Sequence, residues 1–476
     1  MTHTPETPAV PEPEEPDAAA TPETPEVAGS ASLPETADAA STPQAPSAAS
    51  TPETPASASI GSASMPPAGR PRLPWGQIIR NVWTAENGTL VTILAIVCAL
   101  IVGAVMIVVS DTTAMSELGY FTSAPGDFLS TAWHDIANGY RDLFEGAIFN
   151  PADVNGTPSQ FFAPITSTLE FATPLIFGGL SVSVAFRAGM FNIGGQGQII
   201  IGAIFTSYAA FTFTALPGVL HMIVSILAGM LGGLLLGAVV GWLKAKRGAH
   251  EVIVTIMLNY VMSFFLAWVL YTSVFHDPSP RENGVQISKP APHNAVLPHL
   301  FGPSLNTDIG LLIALAAALI TSWFFTRAKL GFEIKAVGLN PAAARTAGIS
   351  VARVQIYAFL ISGALMGLVG VTQTLGLLNP NAFAVNTSVD AGLGFTAITV
   401  ALLGRTRPWG VVGAALLFGA LEAGGSVMQT HDQISVNIIT VIQALIVIFV
   451  AAPKLIKEIF RLRATRVSPA LAGGKA

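Results

Sequence analysis

Ten apolar runs divide the chain from residue 89 onward, each near the ~20 residues needed to cross a bilayer's hydrocarbon core. They fall at about 89–110, 163–185, 193–214, 219–243, 251–273, 308–326, 354–376, 388–404, 409–428 and 435–453. This pattern predicts an all-α fold: a polytopic helical membrane protein of about ten transmembrane helices. The fourth run, "VSILAGMLGGLLLGAVVGW", repeats small residues at the spacing that lets helix backbones approach closely. Two gaps are long, 111–162 and 274–307. The first carries "FLSTAWHDIANGYRDLFEGAIF", whose near-helical spacing predicts a helix lying at the membrane interface.

The bulk composition agrees. The chain is 51% hydrophobic and 11% charged, where soluble proteins carry about 25% charge. Ahead of the first run stands a different region. Residues 1–69 hold 14 of the 33 prolines, ten acidic residues and no Lys or Arg. Such a composition cannot repay the entropy of ordering, so a disordered cytoplasmic tail is expected there. Setting its ten acids aside leaves 18 acidic against 23 basic residues, a charge of +5 for residues 70–476. A basic juxtamembrane segment at 70–88, a membrane domain at 89–455 and a basic tail at 456–476 complete the division. The first run follows a long acidic tail rather than a short basic stretch, so no secretory signal peptide is expected.

Charge also sets the expected orientation. With both termini cytoplasmic, the inner segments 70–87, 186–192, 244–250, 327–353, 405–408 and 454–476 collect 20 of the 23 Lys and Arg. Only Arg141, Arg281 and Lys289 fall outside, as the positive-inside rule requires. Cys98 is the single cysteine, which excludes an internal disulfide or a thiolate metal site.

Polar side chains at membrane depth are the candidate chemistry. In "FRAGMFNIGGQGQIIIGA", 186–203, Asn192, Gln196 and Gln198 cluster with glycines where one run ends and the next begins. Two readings stand side by side. The amides can exchange hydrogen bonds with a passing neutral solute, or they can clamp helices together at about 0.6 kcal/mol per contact. In "RGAHEVIVTIMLNYV", 247–261, Glu251 opens the fifth run and Asn259 follows about two turns on, sharing its face. For Glu251 complementing the helix dipole is favoured over a place in the solute pathway, and both stay open. Glu170 and Glu422 lie within runs, where a charge costs at least about 2.5 kcal/mol, so each is expected to face the bundle or a wet cavity, as a substrate contact, a proton relay or half of a buried polar pair.

Some chemistry is missing. No G-x-x-x-x-G-K-[ST] loop cradles ATP, no H-E-x-x-H or Cys/His spacing binds a metal, and no G-x-S-x-G presents a nucleophile. No intrinsic enzyme activity, resident cofactor, metal or nucleic-acid partner is expected.

One polar segment is unlike a casual loop. "GFEIKAVGLNPAAARTAGIS", 331–350, lies in the coupling loop 327–353 between two apolar runs. Asn340 suits an N-cap, Pro341 the first helical position and Gly348 a left-handed C-cap, with strong helix formers between. Ala342 and Ala343 would give a small face that nests in a groove, and Arg345 could reach an acidic partner.

This segment resembles the cytoplasmic coupling helix of bacterial ABC-importer permeases. "FRAGMFNIGGQGQ", "RGAHEVIVTIMLNYV", "AVGLNPAAARTAGI" and "GLGFTAITVALLGRTRPWG" together resemble the branched-chain amino acid/ribose class of permeases. Within it they are most similar to nucleoside (simple sugar-like) permeases that work with a BmpA-type lipoprotein. The resemblance covers about 160–455 and leaves out the acidic tail. It implies a multi-pass protein of the bacterial plasma membrane with an inverted-repeat core. It further implies a second permease chain, identical or a sister, ATPase subunits that bind ATP and Mg, and an extracytoplasmic solute-binding lipoprotein. The pathway it implies would be lined partly by Phe191, Asn192, Gln196 and Asn259. The competing expectation is a proton-linked secondary carrier working through Glu170 and Glu422.

Overall fold

Each of the ten apolar runs carries a helix. The computed structural model describes residues 88–278, 286–379, 383–431, 434–435 and 437–460. The tail 1–69, the basic segment up to residue 87 and residues 461–476 lie outside the described residues, and so do the expectations attached to them. Helix α1 (Gly88–Ser110) fills the first run, and α2 (Thr112–Leu118) and α3 (Pro125–Ala147) occupy the first long gap. Then come α4 (Pro158–Arg187), α5 (Gly195–Thr212), α6 (Gly218–Arg247) and α7 (Glu251–Tyr271). Past the second gap lie α8 (Gly310–Arg327), α9 (Lys329–Leu339), α10 (Pro341–Thr346) and α11 (Val351–Leu375). The last four are α12 (Leu393–Leu403), α13 (Pro408–His431), α14 (Asn437–Ala451) and α15 (Pro453–Ile459).

Among the described residues, seven helices are long and apolar enough to cross a membrane: α1, α4, α6, α7, α8, α11 and α13. Three expected spans are different. Helix α5 has 18 residues but opens on Gln196 and Gln198. Helices α12 and α14 are apolar but have only 11 and 15 residues. At 1.5 Å per residue α12 rises about 16 Å, roughly half a bilayer. The described residues before it, 376–379 and 383–392, form no helix and descend into the bundle as turns and irregular backbone.

Local chemistry sets the ends. Thr157 and Gln160 form a capping box ahead of Pro158, which starts α4. Asp111 caps α2 by accepting from the Thr113 and Ala114 amides, and the Thr113 amide holds its carboxyl below the usual carboxylate range. Helix α6 ends where Gly248 turns left-handed at φ +67°.

The packing has a two-fold logic. Helix α11 lies against α6 and α5; helix α4 lies against α13 and α12. Exchanging the set α4–α7 for the set α11–α14 maps one group of neighbours onto the other, as expected for a repeat inserted with opposite sense. Helices α4 and α11 cross at the centre, where Ser181 and Ser362 are fully buried. The starts of α5 and α12 also meet: a methyl on Gly195 would lie 3.1 Å from the Gly394 Cα. Helices α6 and α11 also approach closely, so that a Cβ on Gly233 or Gly237 would overlap the carbonyl of Gly363 or Phe359. The small-residue spacing read in the fourth run is this contact.

Helix α3 seats its Gly146 beside Val427 and Gly424 of α13. It buries Asp142 and Glu145 while leaving Leu129, Trp133 and Phe144 exposed. The second long gap folds back over the bundle. The Ser288 amide donates to the Val385 carbonyl at 2.8 Å, Ala291 to Phe383 at 3.0 Å and Leu297 to Leu375 at 3.0 Å. These bonds tie residues 288–297 to the end of α11 and to residues 383–385 of the descending segment.

Candidate functional site

The descending segment has a purpose that its backbone explains. Irregular backbone at membrane depth is tolerated only where protein buries it or where it lines a cavity. Here it walls a cavity of about 360 Å³ together with α4, α11, α12 and α13. Helix α4 contributes Phe171, Pro174 and Leu175; α11 contributes Gln373; α12 contributes Leu393 and Thr396; α13 contributes Glu422. The segment itself supplies Leu378, Asn379, Ala384, Asn386, Ser388, Val389 and Ala391. Asn379 fixes its course by donating to the Gln373, Thr374 and Ala384 carbonyls, each at 3.1 Å. The turn into α12 needs two left-handed residues, Ala391 at φ +45° and Gly392 at φ +71°.

Chemically the cavity offers one aromatic ring, several uncharged amides and hydroxyls, and one carboxylate. One Glu422 oxygen accepts from Gln443 Nε2 at 3.0 Å, which orients the group. Such a lining suits a small neutral solute rich in hydrogen-bonding groups.

The sequence-selected residues divide among different jobs. Glu422 lines this cavity. Glu170 faces a neighbouring cavity of about 460 Å³, also lined by Phe171, Asn306 and His431. There it accepts from the Asp308 amide at 3.1 Å. Asp308 is fully buried and accepts in turn from Gly310 N at 2.7 Å and Leu377 N at 3.3 Å.

Asn192, Gln198 and Asn259 form a buried clamp. Asn192 Nδ2 donates to Gln198 Oε1 and to Ser362 Oγ, both at 2.9 Å, and Asn192 Oδ1 accepts from Gly194 N at 3.1 Å. Asn259 Oδ1 accepts from Gly197 N at 2.9 Å, while its Nδ2 donates to the Ile193 carbonyl at 2.9 Å. These bonds join the α4–α5 connection to α5, α7 and α11. Gln196 is half-buried beside them. Phe191 is exposed and packs edge-on against Phe186 at 5.1 Å. Glu251 pairs with Lys244 at 2.6 Å across the α6–α7 turn, at the helix start where a dipole role places it.

The reading of the chain as spans missed Phe171, Gln373, Asn379, Asn386 and Thr396. A signal existed. The run 388–404 is short, and "NPNAFAVNTSVDAGLG" ahead of it and within it is too polar for a simple span.

Residues 340–348 are built as their chemistry demands. Asn340 Oδ1 accepts from Ala342 N at 3.0 Å and Ala343 N at 3.1 Å, and Pro341 begins α10. Gly348 turns left-handed at φ +81°. The Gly348 amide donates to the Arg345 carbonyl and the Ile349 amide to that of Ala344, both at 3.0 Å, closing a Schellman motif. Ala344 is buried; Pro341, Ala342, Ala343 and Arg345 are exposed.

Residues 165–451 match the family described as branched-chain amino acid transport system / permease component. The chain belongs to this permease family. The matched stretch contains the cavity, the clamp and α10. Over 323 residues the permease is 38% identical to the nucleoside ABC transporter permease protein NupB of Lactococcus lactis, covering 67% of this chain and 84% of that one. It is 32% identical over 363 residues to the guanosine ABC transporter permease protein NupP of Bacillus subtilis, covering 76% and 93% respectively. It is 32% identical over 305 residues to the glucose ABC transporter permease protein TsgB13 of Haloferax volcanii, covering 63% and 78%. The permease is a multi-pass plasma-membrane protein and a transport component rather than an enzyme. It belongs to an ABC transport system, whose other parts are an ATPase and a binding protein.

Proposed function

We propose that this permease is one membrane half of an ABC importer for nucleosides or closely related sugar-like solutes, which pass through the cavity between α4, α11, α12 and α13. The observation that supports the reading most is the juxtaposition in that cavity of the Phe171 ring, the Gln373 amide and the Glu422 carboxylate. A nucleobase wants a ring to lie against and amides for its edges, and a sugar wants a hydroxyl acceptor. The volume, about 360 Å³, falls within the roughly 300–1,000 Å³ of small-molecule pockets.

The rest of the assembly follows from charge and exposure. The basic ends of α4, α6 and α8 and the 404–408 turn face the cytoplasm. There an ATPase subunit, which binds ATP and Mg, engages the exposed face of α10 through Ala342, Ala343 and Arg345. A second permease chain, identical or a sister, completes the pathway. An extracytoplasmic lipoprotein delivers solute to the opposite end, where residues 288–297 are stitched to the cavity wall.

Reconstitution in proteoliposomes tests this. With ATPase, second permease and binding protein present, labelled guanosine should accumulate only with ATP, and not with an ATPase lacking its P-loop lysine. Uptake by this chain alone under a proton gradient would reject the importer reading in favour of a secondary carrier.

A further inference from the structure

Arg187, the last residue of α4, meets three other elements within a few ångströms. Its carbonyl lies directly under α9: a methyl on Gly338 would overlap that oxygen, and a methyl on Gly189 would lie 3.2 Å from the Gly338 Cα. No side chain cushions this contact, so a displacement of α9 and α10 must be felt by the end of α4. Its Nε donates to the Thr406 carbonyl at 2.9 Å. Its guanidinium lies 4.3 Å from the centroid of the Phe325 ring on α8, a cation–π contact in which the planar group can stack flat on the ring, as a lysine ammonium cannot.

The partner of the Nε bond is itself unusual. Arg405 and Thr406 are consecutive non-glycine residues in the left-handed region, at φ +51° and +54°. Such a pair persists only where its surroundings hold it, and the Arg187 bond is part of what holds it. Helix α4 then runs from Arg187 to Leu175 and Phe171, 12 to 16 residues or about 18–24 Å away, where it forms a cavity wall. Pro174 stands between them inside the helix, removing one helical hydrogen bond beside the cavity and making that point the natural bend.

We propose that Arg187 is the positioning residue that converts movement of the α9–α10 segment into movement of the α4 wall. The guanidinium holds the helix end to α8 and to the strained 405–406 turn, while its carbonyl receives the push from Gly338. This rests on the importer reading above, because it needs α10 to be the element on which the ATPase acts.

The test uses the complete transporter in proteoliposomes, with the binding protein and labelled guanosine, and reads guanosine moved per ATP hydrolysed. Arg187→Ala should leave ATPase co-purification intact and hydrolysis within about twofold of the unaltered transporter. The ratio should fall at least tenfold. Arg187→Lys, which restores a donor but not the flat stack, should recover part of that loss. Phe325→Leu, which keeps an apolar side chain but no ring, should lower the ratio at least threefold, and it decides the matter if Arg187→Ala fails to assemble. An unchanged ratio in Arg187→Ala, or in Phe325→Leu where the first does not assemble, overturns the proposal. An unaltered transporter that hydrolyses ATP without moving guanosine at all would instead defeat the importer reading for this solute, and with it the role of Arg187.

Discussion

Ser181 and Ser362 exchange hydroxyl-to-carbonyl hydrogen bonds, Ser181 Oγ to the Ser362 carbonyl at 2.7 Å and Ser362 Oγ to the Ser181 carbonyl at 2.9 Å. The reciprocity places the two at equivalent points of the crossing between α4 and α11. Asn192 joins the pair through Ser362 Oγ, so the central crossing and the amide clamp are one network. Hydrogen bonds between membrane helices are worth about 0.6 kcal/mol on average and up to about 1.7. A double-mutant cycle of Ser181→Ala and Ser362→Ala, read by thermal unfolding in detergent, should return a coupling in that range. Strictly additive losses would mean the two hydroxyls do not act together.

The glycines of α6 and α11 should be unequal to glycines elsewhere. At Gly233 any side chain would collide with the backbone of Gly363 and Gly367. Gly233→Val should therefore cost at least the roughly 1–3 kcal/mol typical of overpacking and lower the yield of monodisperse protein. Gly413, on α13, has open space at the Cβ position. Gly413→Ala should be neutral or gain a few tenths of a kcal/mol from helix propensity. Size-exclusion profiles and melting curves of the two variants check the contrast.

The 340–348 element separates folding from docking. Asn340→Ala removes the acceptor for two backbone amides and should cost about 1 kcal/mol locally, seen as faster hydrogen exchange over 341–346. Ala343→Trp changes an exposed position, so membrane insertion should persist. ATPase co-purification and ATP-dependent uptake should both fall at least tenfold. Unchanged uptake in Ala343→Trp would remove α10 from the docking surface.

Much of the fold was readable because bilayer thickness imposes a length on each helix, and because caps such as Asn340 and Gly348 act on their immediate neighbours. The small-residue spacing of α6 was readable for the same reason: it concerns one helix face. The cavity was not. Phe171, Gln373 and Thr396 lie on three different helices and carry no shared local pattern. The partners of Asn192 and Asn259 were not legible either, since an amide that meets solute and one that meets protein look alike until their partners are placed. Asp308 was hidden differently. It stands at the edge of an apolar run, where an acid reads as a helix start, and its contact with Glu170 spans 138 residues of chain.

Glu422 is the carboxylate of the cavity whose charge solute should feel. Glu422→Gln keeps the size of the side chain and an acceptor for Gln443 but removes the charge. Hydrogen bonds to charged groups contribute about 1.5–3 kcal/mol, so the KM for guanosine uptake should rise roughly tenfold or more, with ATPase assembly unchanged. The loss should be smaller for a 2′,3′-dideoxynucleoside, which lacks the sugar hydroxyls a carboxylate would accept from. Equal losses for both solutes would mean Glu422 does not read the sugar.

Glu170 and Asp308 call for the opposite expectation. Both are buried, and the Asp308 amide donates to a Glu170 carboxyl oxygen at 3.1 Å. A glutamine side-chain oxygen can accept from that amide as a carboxyl oxygen does, so a neutral amide can stand in for Glu170. Glu170→Gln should keep an acceptor for the Asp308 amide and leave stability and uptake within about threefold. Asp308→Ala is different in kind. It strips acceptors from Gly310 N and Leu377 N, the latter at the head of the segment that lines the cavity. Each buried donor left unpaired costs about 1–3 kcal/mol, so Asp308→Ala should melt well below the unaltered chain, with Asp308→Asn between. If Glu170→Gln were instead as damaging as Asp308→Ala and abolished uptake without lowering the melting temperature, the pair would be handling protons during transport rather than anchoring the cavity wall.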